Sequence, residues 1–209
     1  LSVVLYDYWR SSASYRVRIA LGLAGLDWRS VPVDLLTGAQ RGAENIARNP
    51  QGLVPTVEID GLALTQSLAI IEYLDETRGL GLLPPDPAGR ARVRALAHAV
   101  AMDIAPICNL SVRAYAAEIS GGAVSADDWQ RRFIGQGLAA FERMLAPGGR
   151  YCHGDTISLA DLCLVPQAYN AGRVGLDLAS WPRISAILSA LSDHPAIAAA
   201  HPDNHKPKD

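Results

Sequence analysis

Pro55-Thr-Val-Glu-Ile-Asp-Gly-Leu-Ala-Leu-Thr65 consists of two short alternating runs joined by Asp60-Gly61. Asp-Gly suits the positive-φ positions of a two-residue turn, so the stretch predicts an antiparallel hairpin. Upstream, Ser2 to Tyr6 and Trp28 to Val33 are short runs rich in β-branched and aromatic residues. Between them, Ser14 to Ala24 sets Val17, Ala20, Leu21 and Ala24 at helical spacing. Gly25 stops that helix, and a crossover of this length implies a parallel strand pair. A polar stretch containing Gln40 leads towards the hairpin, and Gln66-Ser67 opens a further helix with Leu68, Ile71 and Leu74 on one face. Residues 1–80 therefore read as βαβ followed by ββα, a compact α/β domain.

Residues 81–88 carry Gly81, Pro84, Pro85 and Pro87 without periodicity and read as a linker. Residues 89–209 read as an all-helical domain. Its expected helices are Arg90 to Ala117, alanine-rich and interrupted by Pro106, then Asp127 to Leu145, Ser158 to Ala171 and Trp181 to Leu191. Ser158-Leu-Ala-Asp161 is a capping box in its Asp form. The predicted fold class is thus α/β plus all-α.

Composition narrows the function classes. Of 209 residues, 49% are hydrophobic and 19% charged, with a formal net charge of -2, which fits neither a disordered chain nor an electrostatic nucleic-acid binder. The longest uncharged stretches, Gly61 to Ile71 and Leu162 to Gly172, are too short to span a bilayer, and no signal peptide is apparent. Cys108, Cys152 and Cys163 are odd in number and lack a C-x-x-C pair, so neither a disulfide framework nor a zinc site is indicated. The expectation is a cytoplasmic protein with no nucleic-acid or membrane partner. His98, His153 and His194 read as structural or surface residues. His201 and His205 have i, i+4 spacing, but Pro202 lies between them, so no metal is expected.

The sharpest local feature is Arg10-Ser-Ser-Ala-Ser-Tyr-Arg-Val-Arg18, where the first strand hands over to the first helix. Hydroxyls beside free N–H groups at a helix N-terminus suit a phosphate, a carboxylate or a thiolate; they equally suit a plain N-cap. No G-x-x-x-x-G-K-[ST] is present, which argues against phosphate. In Asn49-Pro-Gln-Gly-Leu-Val-Pro-Thr56, Pro55 opens a strand either through a cis bond or as an ordinary trans edge proline.

Taken in order with Gln66-Ser67 and Gly154-Asp-Thr-Ile-Ser-Leu-Ala-Asp161, these features resemble the zeta class of glutathione transferases, which includes maleylacetoacetate and maleylpyruvate isomerases. The resemblance runs nearly end to end. It is carried by Leu5-Tyr-Asp-Tyr-Trp-Arg-Ser-Ser12, Tyr15-Arg-Val-Arg-Ile-Ala-Leu21, Asn49-Pro-Gln-Gly-Leu-Val-Pro55, Gln66-Ser-Leu-Ala-Ile-Ile-Glu-Tyr-Leu74, Leu82-Leu-Pro84 and Ala160-Asp-Leu-Cys-Leu-Val-Pro-Gln167. It implies a thioredoxin-like N-terminal domain that holds glutathione, an all-helical domain that helps shape the substrate pocket, and a homodimer. By the same resemblance Ser11 donates to the glutathione sulfur with Ser12 beside it, and Val54 pairs its backbone with the cysteinyl part ahead of a cis Pro55. Gln66 and Ser67 then hold the γ-glutamyl end and Gln40 contacts the glycyl end. Lowering a thiol pKa from about 8.5 by one unit favours the thiolate by about 1.4 kcal/mol, and a helix N-terminus with a hydroxyl is suited to that.

The implied reaction is cis to trans isomerisation of a small dicarboxylate: thiolate addition to an activated double bond, rotation, and thiolate loss. Arginines suit carboxylate clamping and enolate stabilisation, and Arg10 and Arg173 are the candidates, with Asn109 as a further substrate residue. Arg16 and Arg18 are expected on a solvated helix face or in an interdomain salt bridge. Two departures from the family pattern stand out. Ala13 replaces the usual Cys after the two serines, which removes any mechanism needing a protein thiol there, and Cys108 stands where relatives more often carry a polar side chain. The same thiolate would also serve a transferase acting on small α-halo acids or other electrophiles. A non-catalytic glutathione-binding protein is the third reading, made less attractive by the retention of Ser11, Gln66 and Ser67.

Overall fold

β1 (Val3–Asp7) is buried along its whole length because it has a strand on each side. Parallel β2 (Trp28–Pro32) lies on one side and antiparallel β3 (Thr56–Ile59) on the other; β4 (Leu62–Thr65) completes the order β2-β1-β3-β4. Asp60 at φ 53° and Gly61 at φ 81° make the two-residue turn that the Asp-Gly pair predicts. The register matters for function. Tyr6 pairs with Thr56 and Thr56 with Thr65, so the end of β1, the start of β3 and the end of β4 meet at one end of the sheet. α1 (Ser12–Leu23) and α3 (Ser67–Arg78) leave from that end and pack against each other. The stretch expected only to be polar contains α2 (Ala43–Arg48), whose six residues are too few for a periodic signal. Arg48 closes over the Tyr6 ring at 4.2 Å, on the side where Val4, Tyr6 and Val33 cluster.

The computed structural model describes residues 2–207 and divides into two units. The first takes the chain up to Gly81 and again from Asp193 onward; the second is Leu82–Ser192. This corrects the expected boundary, which gave everything after 88 to the helical domain. The cause is local: α9 (Pro195–Ala199) lies against α1 at Gly22, where an added Cβ would come within 3.1 Å of the Ala196 Cβ. Arg18 Nε also donates to the Ala200 carbonyl at 3.2 Å.

In the second unit the linker is shorter than expected. Leu82 is already buried, and Asp86 caps α4 (Pro87–His98) by accepting the Gly89 N–H at 2.7 Å. The single helix expected over 90–117 is broken into α4, a π-helical turn (Ala99–Ile104) and α5 (Leu110–Ile119). Pro106 lacks the N–H that would continue the ladder. α6 (Ala126–Met144) receives the π turn at Gly137, where a Cβ would fall 2.3 Å from Ile104 Cδ1. α7 (Leu159–Arg173) starts at the expected cap: the buried Asp161 carboxylate accepts from Ser158 N–H at 2.8 Å, Ser158 Oγ at 2.7 Å and Cys152 N–H at 2.9 Å. α8 (Pro182–Ser192) is capped from α6, since Glu142 accepts the N–H groups of Arg183 and Ile184 at 3.0 and 2.9 Å. Among the described residues no helix is long and apolar enough to cross a membrane.

Candidate functional site

Ser11 is the N-cap of α1, and its Oγ accepts the Ser14 N–H at 3.2 Å. The capping and ligand readings left open by the sequence are therefore compatible, because accepting at the oxygen leaves the hydroxyl proton to donate. The first backbone bond of the helix runs from Tyr15 N–H to Ser11 C=O at 2.9 Å, so the N–H groups of Ser12 and Ala13 precede the ladder at the positive end of the helix dipole. Arg10 stands just ahead. Its Nη2 donates to the Tyr8 hydroxyl at 3.1 Å, and its guanidinium lies 4.8 Å over the Trp9 ring.

The segment before β3 reaches the same end of the sheet. The Val54–Pro55 bond is cis, and among the described residues neither the Val54 N–H nor its C=O has a backbone partner. Two buried asparagines hold this segment. Asn49 Nδ2 donates to the Leu53 carbonyl at 3.1 Å, and Asn45 Nδ2 donates to that carbonyl at 3.4 Å and to the Gln40 carbonyl at 2.8 Å. Gln40, in a short 3₁₀ turn (Ala39–Arg41), keeps its Oε1 buried with no hydrogen-bond partner among the described residues.

The third contribution comes from the start of α3. Gln66 sits at φ 67°, a conformation that costs a side-chain-bearing residue on the order of 1–3 kcal/mol, and its Nε2 donates to Gln51 Oε1 at 2.7 Å. Ser67 follows as the first helical residue and is buried, with its Oγ accepting from Arg16 Nη1 at 3.3 Å. Ser67, Leu68 and Ala69 precede the first helical bond, from Ile70 N–H to Gln66 C=O, so this second helix N-terminus also presents free donors.

Burial overturns the solvated helix face expected as one alternative for Arg16 and Arg18. Arg16 is 2% exposed and stands behind Ser67. Arg18 is fully buried within the first unit, paired with Asp7 at 2.6 Å, and donates Nη2 to the Trp9 carbonyl at 2.9 Å, next to Arg10. Asp7 accepts in turn from Ser30 Oγ at 2.7 Å. Sequence reasoning missed Arg16, Arg18, Asn45 and Asn49 as supports. Two arginines interleaved with Val17, Ile19, Ala20 and Leu21, all fully buried, were the available signal, because charges in a helix that is apolar on every side need internal partners.

The remaining candidates belong to the second unit. Asn109 is the exposed N-cap of α5, and Arg173 is the exposed last residue of α7, with its guanidinium 6.0 Å over the Tyr169 ring. Beside Asn109, burial pushes the Cys108 thiol up to about 11, so it stays protonated and non-nucleophilic at neutral pH.

The N-terminal part, residues 1–76, matches the model of the glutathione S-transferase N-terminal domain. A maleylacetoacetate isomerase of Rhizobium meliloti (strain 1021) is 61% identical over 208 residues, 98% of each chain. The chain belongs to the zeta class of glutathione transferases. A solved zeta-class bacterial maleylpyruvate isomerase superposes on this zeta-class chain with a TM-score of 0.93 at 39% identity, covering 99% of this chain and 100% of that one. A maleylacetoacetate isomerase of Methylobacterium extorquens AM1, solved with bound malonate and glutathione, superposes with a TM-score of 0.89 at 41% identity and covers 95% and 96% of the two chains.

Proposed function

We propose that the protein is a glutathione-dependent cis–trans isomerase of maleylacetoacetate or its shorter analogue maleylpyruvate. The observation that carries this reading is the convergence, at one end of one sheet, of two helix N-termini and an unpaired stretch of backbone. That set fits a tripeptide thiol. A carboxylate suits the α3 N-terminus and Ser67, an extended peptide suits the Val54 N–H and C=O ahead of Pro55, and a sulfur suits the α1 N-terminus. The buried Gln40 Oε1, without a hydrogen-bond partner among the described residues, suits a further polar group of the ligand.

When bound, glutathione supplies the thiolate that adds to and leaves the activated double bond. Ser11 donates its hydroxyl to the sulfur, Ser12 and Ala13 N–H groups add dipole, and Gln66 and Ser67 orient the γ-glutamyl end. Arg16 keeps the Ser67 hydroxyl turned as an acceptor on one side, leaving its proton for the ligand. Asn109 and Arg173 are assigned to the dicarboxylate, and Arg10, whose guanidinium is fixed by Tyr8 and Trp9, is assigned to the stabilisation of developing negative charge. The protein works as a homodimer in the cytoplasm, where its three free cysteines stay reduced.

The test is turnover of maleylacetoacetate, maleylpyruvate and a dichloroacetate-type acid, each with and without glutathione. Isomerisation of a maleyl substrate only with glutathione is expected. Halide release without isomerisation would make the protein a transferase instead, and glutathione binding without any turnover would make it a binding protein.

A further inference from the structure

Three consecutive residues of α6 reach the backbone of two segments that are distant in sequence. Trp129 Nε1 donates to the Ile107 carbonyl at 3.0 Å, and Gln130 Nε2 to the Cys108 carbonyl at 3.3 Å. Arg131 Nε donates to the Val174 carbonyl at 3.0 Å. The first two carbonyls immediately precede Asn109, and the third immediately follows Arg173. One turn of one helix is therefore bonded to both segments that carry the substrate residues of this unit.

The three donors are themselves held. Gln130 is 8% exposed, and its Oε1 accepts from Arg113 Nη1 at 2.7 Å, which fixes the amide so that Nε2 faces Cys108. Arg131 is tied on its other side to Asp128 at 2.5 Å. Hydrogen bonds from Ser125 and Arg131 hold the Asp128 carboxyl below its ordinary pKa, so the pair keeps its charges at neutral pH. The Trp129 ring packs on Phe133 at 4.6 Å. The acceptors need this help. Val174 is the C-cap of α7, where the last carbonyls have no partner inside the helix, and Ile107 and Cys108 lie in the turn between the π turn and α5.

We propose that Trp129, Gln130 and Arg131 are positioning residues that hold the Asn109 and Arg173 segments at a fixed separation and so set which dicarboxylates are accepted. The inference rests on the reading of Asn109 and Arg173 as the residues that hold the substrate. A molecule with two carboxylates binds two separate segments well only if their spacing matches before it arrives. A loose frame must be ordered on binding, which weakens affinity and blunts the preference for one carboxylate span over another. None of the three residues belongs to the unit that carries Ser11 and Ser67, so the thiol site keeps its own geometry.

Trp129→Phe removes the indole donor and keeps the ring; Arg131→Met removes the guanidinium; Arg131→Lys keeps one donor on a different stem. The readouts are KM and kcat at saturating glutathione, the Kd of malonate with glutathione present, the Kd of glutathione, and the cooperativity of the thermal melt. In Trp129→Phe/Arg131→Met, KM and the malonate Kd are expected to rise roughly 10-fold, since two net hydrogen bonds each worth a few-fold are lost, while kcat stays within about twofold. The glutathione Kd should not move. Arg131→Lys should recover part of the loss, and the kcat/KM ratio between maleylacetoacetate and maleylpyruvate should shift towards one. A double variant that melts cooperatively with wild-type KM and malonate Kd overturns the proposal, as does Trp129→Phe losing glutathione affinity in parallel. If the wild type isomerises neither substrate, the isomerase reading fails and the malonate Kd still decides the frame: weakened binding in the double variant supports it, and unaltered binding or none in the wild type overturns it.

Discussion

Ser11 and Ser12 are neighbours with unequal positions. Ser11 lies before the helix with its oxygen already accepting from Ser14, so its proton is directed away from the helix; Ser12 is inside the first turn. Ser11→Ala should therefore lower kcat/KM by roughly 10- to 150-fold, the value of one hydrogen bond to a charged atom of about 1.5–3 kcal/mol, and Ser12→Ala by clearly less. Steady-state kinetics of the two variants makes the comparison; equal small losses would move the thiolate's partner to the Ser12 and Ala13 N–H groups. Arg16 is tested differently, by binding. Arg16→Met removes the buried donor behind Ser67, and the Kd of glutathione measured by calorimetry should rise by about 10-fold with kcat at saturating glutathione nearly unchanged. Unchanged affinity would reduce Arg16 to a packing role. The serines were legible because a hydroxyl run at a strand-to-helix junction is a local pattern. The support role of Arg16 was not, since the apolar run around it signals only burial, while its partner Ser67 lies 51 residues away at the start of α3.

At the scale of elements, the hairpin, the capping box and the βαβ crossover were legible because each is decided within a few residues by backbone chemistry: Asp60-Gly61 at positive φ, Asp161 gathering three donors, Gly25 stopping α1. The π turn was not, because Ala99–Ile104 is helix-compatible in composition and its geometry answers to Gly137 on another helix. The placement of the C-terminal segment also escaped, since its anchors are a glycine gap and a buried arginine on α1. That segment carries a pH dependence. His205 stacks on Trp28 at 6.2 Å with its Nε2 3.0 Å from the Ala199 carbonyl. Burial, and then the nearby Arg18 charge, hold its pKa below the ordinary value of 6.5. A histidine with a lowered folded pKa binds fewer protons folded than unfolded, so its contribution to stability is complete above pH 6.5 and is lost as pH falls from there through the folded pKa. Melting temperature should accordingly fall in wild type below pH 6.5 by more than in His205→Phe, which keeps the stacking ring and cannot titrate. Parallel pH profiles for the two proteins would place the sensitivity elsewhere.

At the scale of the whole molecule, the division into an α/β unit and a helical unit was readable from the change of hydrophobic period and the Gly/Pro-rich junction, while an assembly of chains leaves no such local mark. The two edges of the sheet differ in how they are protected. β2 carries Arg29 and Pro32, a charge and a missing donor of the kind that discourages another strand or chain from docking. β4, the other edge, reads Leu-Ala-Leu-Thr with neither, and Leu62 remains 47% exposed. On the helical unit, α5 exposes Val112, Tyr115 and Ile119, which share one face by their spacing of three and four. Apolar surface of this kind is normally covered, and a second copy related by a two-fold axis is the simplest cover for a chain of this class. Multi-angle light scattering is expected to return twice 22.3 kDa at micromolar concentration. Leu62→Lys, which adds a charge at the unprotected edge without touching the buried face of β3, should shift the mass towards the single chain while leaving the melt cooperative. A wild-type mass of 22.3 kDa would refute the dimer, and an unaltered dimer in Leu62→Lys would move the interface off β4 and leave the α5 face to be tested by Ile119→Glu.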